Sequence, residues 1–134
     1  MHNTQAIIFD MDGVLADSQK LHHFAERKTY QHFNLSVTEE QIHALTGTPD
    51  LMTFQKILEM HREDPDRAQE LNDYKYKNVM PRIIDEHGIP PIDGAEEVVD
   101  AATQKYPCAV ASSSTHEYID LTLRTLGLID KLPV

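Results

Sequence analysis

Two aspartates, Asp10 and Asp12, stand one residue apart at the end of the apolar run in IIFDMDGVLADS, Ile7 to Ser18. Their like charges repel, and a metal with a phosphate between them would give the pair a use. Open α/β sheets bind ligands beyond the carboxyl ends of their strands. A carboxylate placed there can attack phosphorus and form an aspartyl phosphate. The step needs a cation to offset charge repulsion, fixed donors for the phosphate oxygens, and an acid for the leaving oxygen. Asp12 is placed to be that acid, and its backbone carbonyl could help coordinate Mg²⁺. Gly13 relieves crowding where the backbone turns close to a ligand. A second strand end comes far along the chain, in CAVASSS, Cys108 to Ser114. Its serines and the free N–H groups of the helix behind them form a phosphate cradle. A D-x-D pair by itself is commonly a turn or a helix cap; its place between IIF and GVLADS singles it out.

The elements around these residues follow from hydrophobic period and breakers. Gln5 to Asp10 predicts a short buried strand, with two isoleucines and a phenylalanine stopped by DMDG. Ser18 to about Phe33 reads as an amphipathic helix through Leu21, Phe24, Ala25, Lys28 and Tyr30–Phe33. Thr38 with Gln41 forms a capping box for a second helix ending near Thr46-Gly47. Pro49 opens a third helix to Met60. Asp64-Pro65 starts a long fourth one ending near His87-Gly88, with Leu71, Tyr74, Val79, Ile83 and Ile84 buried. GIPPIDG, Gly88 to Gly94, reads as a linker, and a helix restarts at Ala95. Pro107 to Ala111 predicts a second buried strand. A capping box from Ser114 to Glu117 opens the last helix, and Gly127 stops it. A strand–helix–strand unit split by a helical insertion implies a parallel α/β sheet with a helical cap.

Composition narrows the function. The chain has 134 residues, 40% of them hydrophobic and 25% charged, as in one globular domain or a core with one insertion. A net charge of −10 with no Lys/Arg cluster argues against nucleic acid. A phosphorylated small molecule is less affected, because bound Mg²⁺ reverses the field locally. No apolar run is long enough to span a membrane, and the N-terminus shows no export signal. The single cysteine, Cys108, excludes an internal disulfide, suits a reducing cytoplasm, and reads as a buried strand residue rather than a reactive thiol. The eight histidines show no zinc spacing such as HExxH.

FDMDGVLADS resembles the first motif of the haloacid dehalogenase-like hydrolases, Mg²⁺-dependent enzymes that work through an aspartyl phosphate. CAVASSS resembles their second motif. The helical block, the DS-x-x-x-H spacing from Asp17 to His22 and the turn LTGTP resemble the β-phosphoglucomutase and phosphoglycolate phosphatase branch. The resemblance implies a Rossmann-like α/β core over residues 1–17 and 90–134, with its sheet incomplete, and a helical cap over 18–89. It implies Asp10 as nucleophile and Mg²⁺ ligand, and Asp12 as general acid/base with its carbonyl on Mg²⁺. Ser112 would bind the transferring phosphate with the Ser113 amide. Thr46 and Gly47 would form the cap's substrate-facing turn, and His22 would face the same cleft.

Two departures follow. Phosphomutases of this branch carry a basic residue after the cap turn and another after the second-motif serines; here Pro49-Asp50 and Thr115 stand in those places. Neither holds a second phosphate, which favours a phosphatase acting on a small phosphate monoester over a phosphomutase. The third-motif lysine and the later acidic Mg²⁺ ligands lie beyond Leu126-Gly127 in the family. The chain reaches only LPV, where the next strand would begin, and Lys131 does not match the missing lysine. Impaired activity at this length is therefore expected. A non-catalytic binding protein that keeps the fold is the alternative from another class, and a receiver-type phospho-acceptor is disfavoured by the long insertion. The substrate's identity and the oligomeric state are not written in the sequence.

Overall fold

A computed structural model describes residues 3–134. Met1 and His2, which belong to the N-terminus read for an export signal, lie outside the described residues. Two strands, β1 (Ile7–Phe9) and β2 (Cys108–Val110), pair in parallel with Phe9 opposite Val110. Ala111 N–H donates to the Phe9 carbonyl at 2.9 Å, carrying the pairing one residue past each strand. Both strands are shorter than the sequence predicts, and neither is wholly buried. Ile8 is 71% exposed while Val110 is 5% exposed. Successive side chains point to opposite faces, so Ile8 marks a sheet face left uncovered among the described residues. Cys108, expected inside, is half-buried, although it shares its face with Val110. Val110 N–H points away from β1 and donates to the Pro133 carbonyl at 3.0 Å, so the LPV segment runs along the other edge of β2.

The chain divides into two compact units, residues 1–20 with 87–134, and residues 21–86. In the first unit, α6 (Ala95–Thr103) and α7 (His116–Thr125) turn Val99, Ala102, Ile119 and Leu123 inward. Gly94 precedes α6 at φ +79°, a left-handed conformation that glycine adopts without strain. GIPPIDG is not a free linker. Asp17 N–H donates to the Pro90 carbonyl at 2.8 Å and Ile92 N–H to the Leu15 carbonyl at 3.0 Å, pinning the segment to the loop behind Asp12. Pro90 and Pro91 fit such an edge because their carbonyls can accept while they have no N–H to leave unpaired.

The second unit is helical. It takes most of α1 (Gln19–His32), then α2 (Glu39–Ala44) and α3 (Asp50–Met60). A 3₁₀ turn (Pro65–Arg67), α4 (Ala68–Tyr74), a π-helical segment (Lys75–Val79) and α5 (Met80–His87) follow without a break. Its apolar core joins Tyr30, Ile42, Phe54, Ile57, Leu58, Ala68 and Leu71. The capping box at α2 forms as its sequence predicts, with Gln41 N–H on Thr38 Oγ1 and Thr38 N–H on Gln41 Oε1. The single long helix expected from Asp64 is interrupted. Pro81 has no N–H and its ring crowds the carbonyl four residues back, and the π segment widens the ladder there, with Met80 N–H bonding Lys75 O. The buried face of α1 is also turned from expectation: His23, Ala25, Glu26, Thr29 and Tyr30 are buried, while Phe24 is exposed with the Lys28 ammonium over its ring.

Candidate active site

The first unit assembles the candidate chemistry. Asp10 is the residue past β1 and Ser112 lies two past β2, so the parallel register brings both to the same sheet end. Asp10 is exposed, so its carboxylate is open to a ligand from solvent. Its Oδ1 accepts the Met11 N–H at 2.8 Å, which orients the carboxylate. Gly13 follows Asp12 at φ +78°, where a side chain would be strained, and its N–H closes onto the Ala16 carbonyl at 2.8 Å. This tight turn folds Leu15 and Ala16 into the core and returns Ser18 towards Asp12.

Asp12 is half-buried and held at both carboxylate oxygens. Oδ1 accepts Ser18 Oγ at 2.5 Å and the Tyr118 hydroxyl at 3.2 Å; Oδ2 accepts Ser114 Oγ at 3.3 Å. Burial, and then the charge of Asp12, pushes the Tyr118 phenol well above its ordinary value and keeps its proton on. The second-motif loop is wired to the same carboxylate. Ser114 N–H donates to Ser112 Oγ at 3.2 Å, so the Ser112 oxygen acts as acceptor inward and has its own proton to give elsewhere. Ser113, between them, is exposed.

One local expectation is corrected. The α7 cap is Thr115, whose Oγ1 accepts Tyr118 N–H at 3.3 Å, not Ser114 with Glu117. Ser114 fails as the cap because its hydroxyl is directed at Asp12. Lys131, not assigned from sequence, pairs with Asp100 at 2.5 Å and Glu96 at 3.5 Å on α6.

In the second unit, the predicted cap residues are placed as follows. Thr46 Oγ1 lies 3.1 Å from Nε2 of His23, the buried neighbour of His22. Burial, aided by the nearby His43 and Arg27 charges, lowers the His23 pKa and favours the neutral ring. His22 is half-exposed, and Gly47 makes the turn at φ +83°. Sequence reasoning missed a polar cluster here. Lys75 has no exposure, and its Nζ lies 2.8 Å from Asp50 Oδ2 and 3.6 Å from Glu26 Oε1. The Tyr76 hydroxyl also donates to Asp50 Oδ2. Burial would raise Asp50, but the Lys75 charge and the bonds from Lys75 and Tyr76 outweigh it and leave the carboxyl below its ordinary range. For Glu26, burial outweighs Lys75 and the pKa is raised. Ala68, Leu71 and Lys75 share one helical face, a spacing that puts Lys75 in the core and could have exposed the cluster from sequence.

Among the described residues, no group of three or more His, Cys, Asp or Glu is placed to hold a metal. Mg²⁺ does not demand one: it commonly takes one or two carboxylates, keeps several waters and completes its shell with substrate phosphate. Asp10 and Asp12 at one strand end suit that donor set. No helix among the described residues is long and apolar enough to cross a membrane.

Residues 7–134 match the model of the haloacid dehalogenase-like hydrolase family. The fructose-1-phosphate phosphatase YqaB of Escherichia coli (strain K12) is 30% identical over 123 residues, which is 91% of this chain and 63% of that protein. A hydrolase from Pseudomonas syringae superposes with a TM-score of 0.78 at 22% identity, over 97% of this chain and 60% of its own. CbbY from Rhodobacter sphaeroides, solved with xylulose-1,5-bisphosphate, gives a TM-score of 0.79 at 20% identity, over 90% and 56%. This chain thus spans less than two thirds of each. The two structures show the fold, a Rossmann-like parallel-sheet core with inserted helices, of which this chain holds part of the sheet.

Proposed function

Because the chain belongs to the haloacid dehalogenase-like hydrolases, we propose that it serves a Mg²⁺-dependent phosphatase that hydrolyses a small sugar monophosphate through an aspartyl phosphate on Asp10. The observation that carries this reading is the wiring of the two motifs, in which Ser114 joins the Asp12 carboxylate to the Ser112 loop at the sheet end where Asp10 is exposed. An Asp10 oxygen attacks phosphorus, and the ester P–O bond breaks. The leaving alkoxide takes a proton from Asp12. Water then attacks the aspartyl phosphate, Asp12 takes that water's proton, and inorganic phosphate leaves as the Asp10–phosphorus bond breaks. Ser112 Oγ and the Ser113 amide hold the transferring oxygens throughout. Asp10 and the Asp12 carbonyl would hold Mg²⁺, which would supply the positive charge that lets two anions approach.

The substrate class is supported by two facts. One relative with 30% identity is a fructose-1-phosphate phosphatase. Asp50, in the place where phosphomutases carry a base, is bound to Lys75 and Tyr76, so the turn offers a second phosphate a carboxylate whose cation is already engaged. In this reading Thr46, Gly47 and His22 belong to the cap that selects the sugar, and the protein acts in the cytoplasm on a phosphorylated metabolite.

Phosphate release from fructose 1-phosphate with Mg²⁺, compared with EDTA, with a sugar bisphosphate and with Asp10→Asn, tests the reading. Release that needs Mg²⁺ and Asp10 and favours the monophosphate is expected. Equal release by Asp10→Asn would sink it, and preference for the bisphosphate would return the phosphomutase.

A further inference from the structure

We propose that Tyr118 is a positioning residue, whose hydroxyl fixes the carboxylate of Asp12 together with those of Ser18 and Ser114. The inference rests on the reading of Asp12 as the acid/base, and goes beyond it by assigning what holds that group. Three donors come from three places: the loop six residues after Asp12, the loop after β2, and the third residue of α7. They meet two oxygens of one carboxylate, so rotation about its Cβ–Cγ bond would break all three contacts at once.

Ser18 and Ser114 can swing their hydroxyl oxygens away by a change of χ1 alone. Tyr118 cannot. It is 3% exposed, it stands on the buried face of α7, and its own N–H is tied to the Thr115 cap. Its hydroxyl is therefore a fixed point delivered by the helix, 106 positions from the residue it holds. A buried phenol with its polar end on a carboxylate also satisfies both groups, which a phenylalanine there would not.

The consequence is specific. If Tyr118 sets the direction of Asp12, its hydroxyl should matter most where proton delivery matters most. A sugar alkoxide leaves poorly without a proton, whereas p-nitrophenolate leaves nearly unaided.

The test uses the chain with ¹³C-carboxyl aspartate, the Asp12 signal being identified by its loss in Asp12→Asn. In Tyr118→Phe, which removes one oxygen and keeps the ring, the Asp12 signal should move while the other aspartate signals and the melting curve stay close to wild type. Ser18→Ala should move the same signal, and gives a second reading should the first variant fold poorly. Turnover of an alkyl phosphate by Tyr118→Phe should fall about tenfold, a fraction of a general acid's usual worth, with p-nitrophenyl phosphate changed far less. An Asp12 signal unmoved by Tyr118→Phe overturns the proposal, as does an equal loss on both esters. Phosphate release undiminished in Asp10→Asn would instead overturn the phosphatase reading, leaving the Asp12 signal to decide the contact separately.

Discussion

The Nζ of Lys75 lies 2.8 Å from Asp50 Oδ2 in the helical unit, at a lysine with no solvent exposure. Glu26 completes the cluster at 3.6 Å, so one cation faces two carboxylates in surroundings that would not tolerate any of them alone. Burying such a group is costly; removing only one partner is costlier, because it strands the others.

Lys75→Met should therefore destabilise the chain by about 3–5 kcal/mol. Replacing the cluster together, with Asp50→Asn and Glu26→Gln added, should recover most of the loss. Urea unfolding measures both. A single Lys75→Met variant within about 1 kcal/mol of wild type would show that the cluster is not ionised as described.

The two carboxylates should give opposite pH dependences. Glu26 has its folded pKa raised above its ordinary 4.5, so its favourable contribution is complete below that value and is lost as pH rises through the folded pKa. Glu26→Gln should gain stability relative to wild type as pH rises above 4.5. Asp50 has its folded pKa lowered below 3.8, so its contribution is present above that value and lost as pH falls through the folded pKa. The penalty of Asp50→Asn should accordingly be full near neutrality and fade in acid. Stability differences measured across pH that slope the same way for both variants would contradict the assignment.

The α7 cap separates two serine/threonine roles. Thr115→Ala should cost about 1 kcal/mol of stability, through the lost Tyr118 N–H contact at 3.3 Å. Ser114→Ala should cost the helix little, since its hydroxyl serves Asp12, and should instead lower phosphate turnover. Thermal melts beside turnover distinguish them; the reverse pattern would restore Ser114 as the cap.

Much of this was legible in the sequence because the signals are local. The apolar run stopped by DMDG, the Thr38–Gln41 box and the serines after CAVA each act within a few residues, and each leads to the element it implies. What stayed hidden depends on distant partners. Ser114 looked like a cap because Glu117 stood three residues on, and nothing near it could reveal that Asp12 would claim its hydroxyl. Leu21, Phe24 and Lys28 keep helical period, but nothing near them in sequence shows that Lys75 is buried against α1. Once that cation is inside, Glu26 must turn inward and Phe24 is left on the surface. Pro81 could have warned of the π segment, since a proline within a helix has to be accommodated somewhere. The burial of the strands was overestimated because an apolar strand reads the same whether or not its sheet face is covered.

In the proposed mechanism Asp10 carries the phosphoryl group. The most direct test is to expose the protein to Mg²⁺ and acetyl phosphate, quench in acid and examine the peptide containing Asp10 by mass spectrometry. This peptide should gain the mass of one phosphoryl group, that of Asp10→Asn should not, and Asp12→Asn should slow its hydrolysis. A phosphoryl group on any other residue, or none on Asp10 while phosphate is being released, would contradict it.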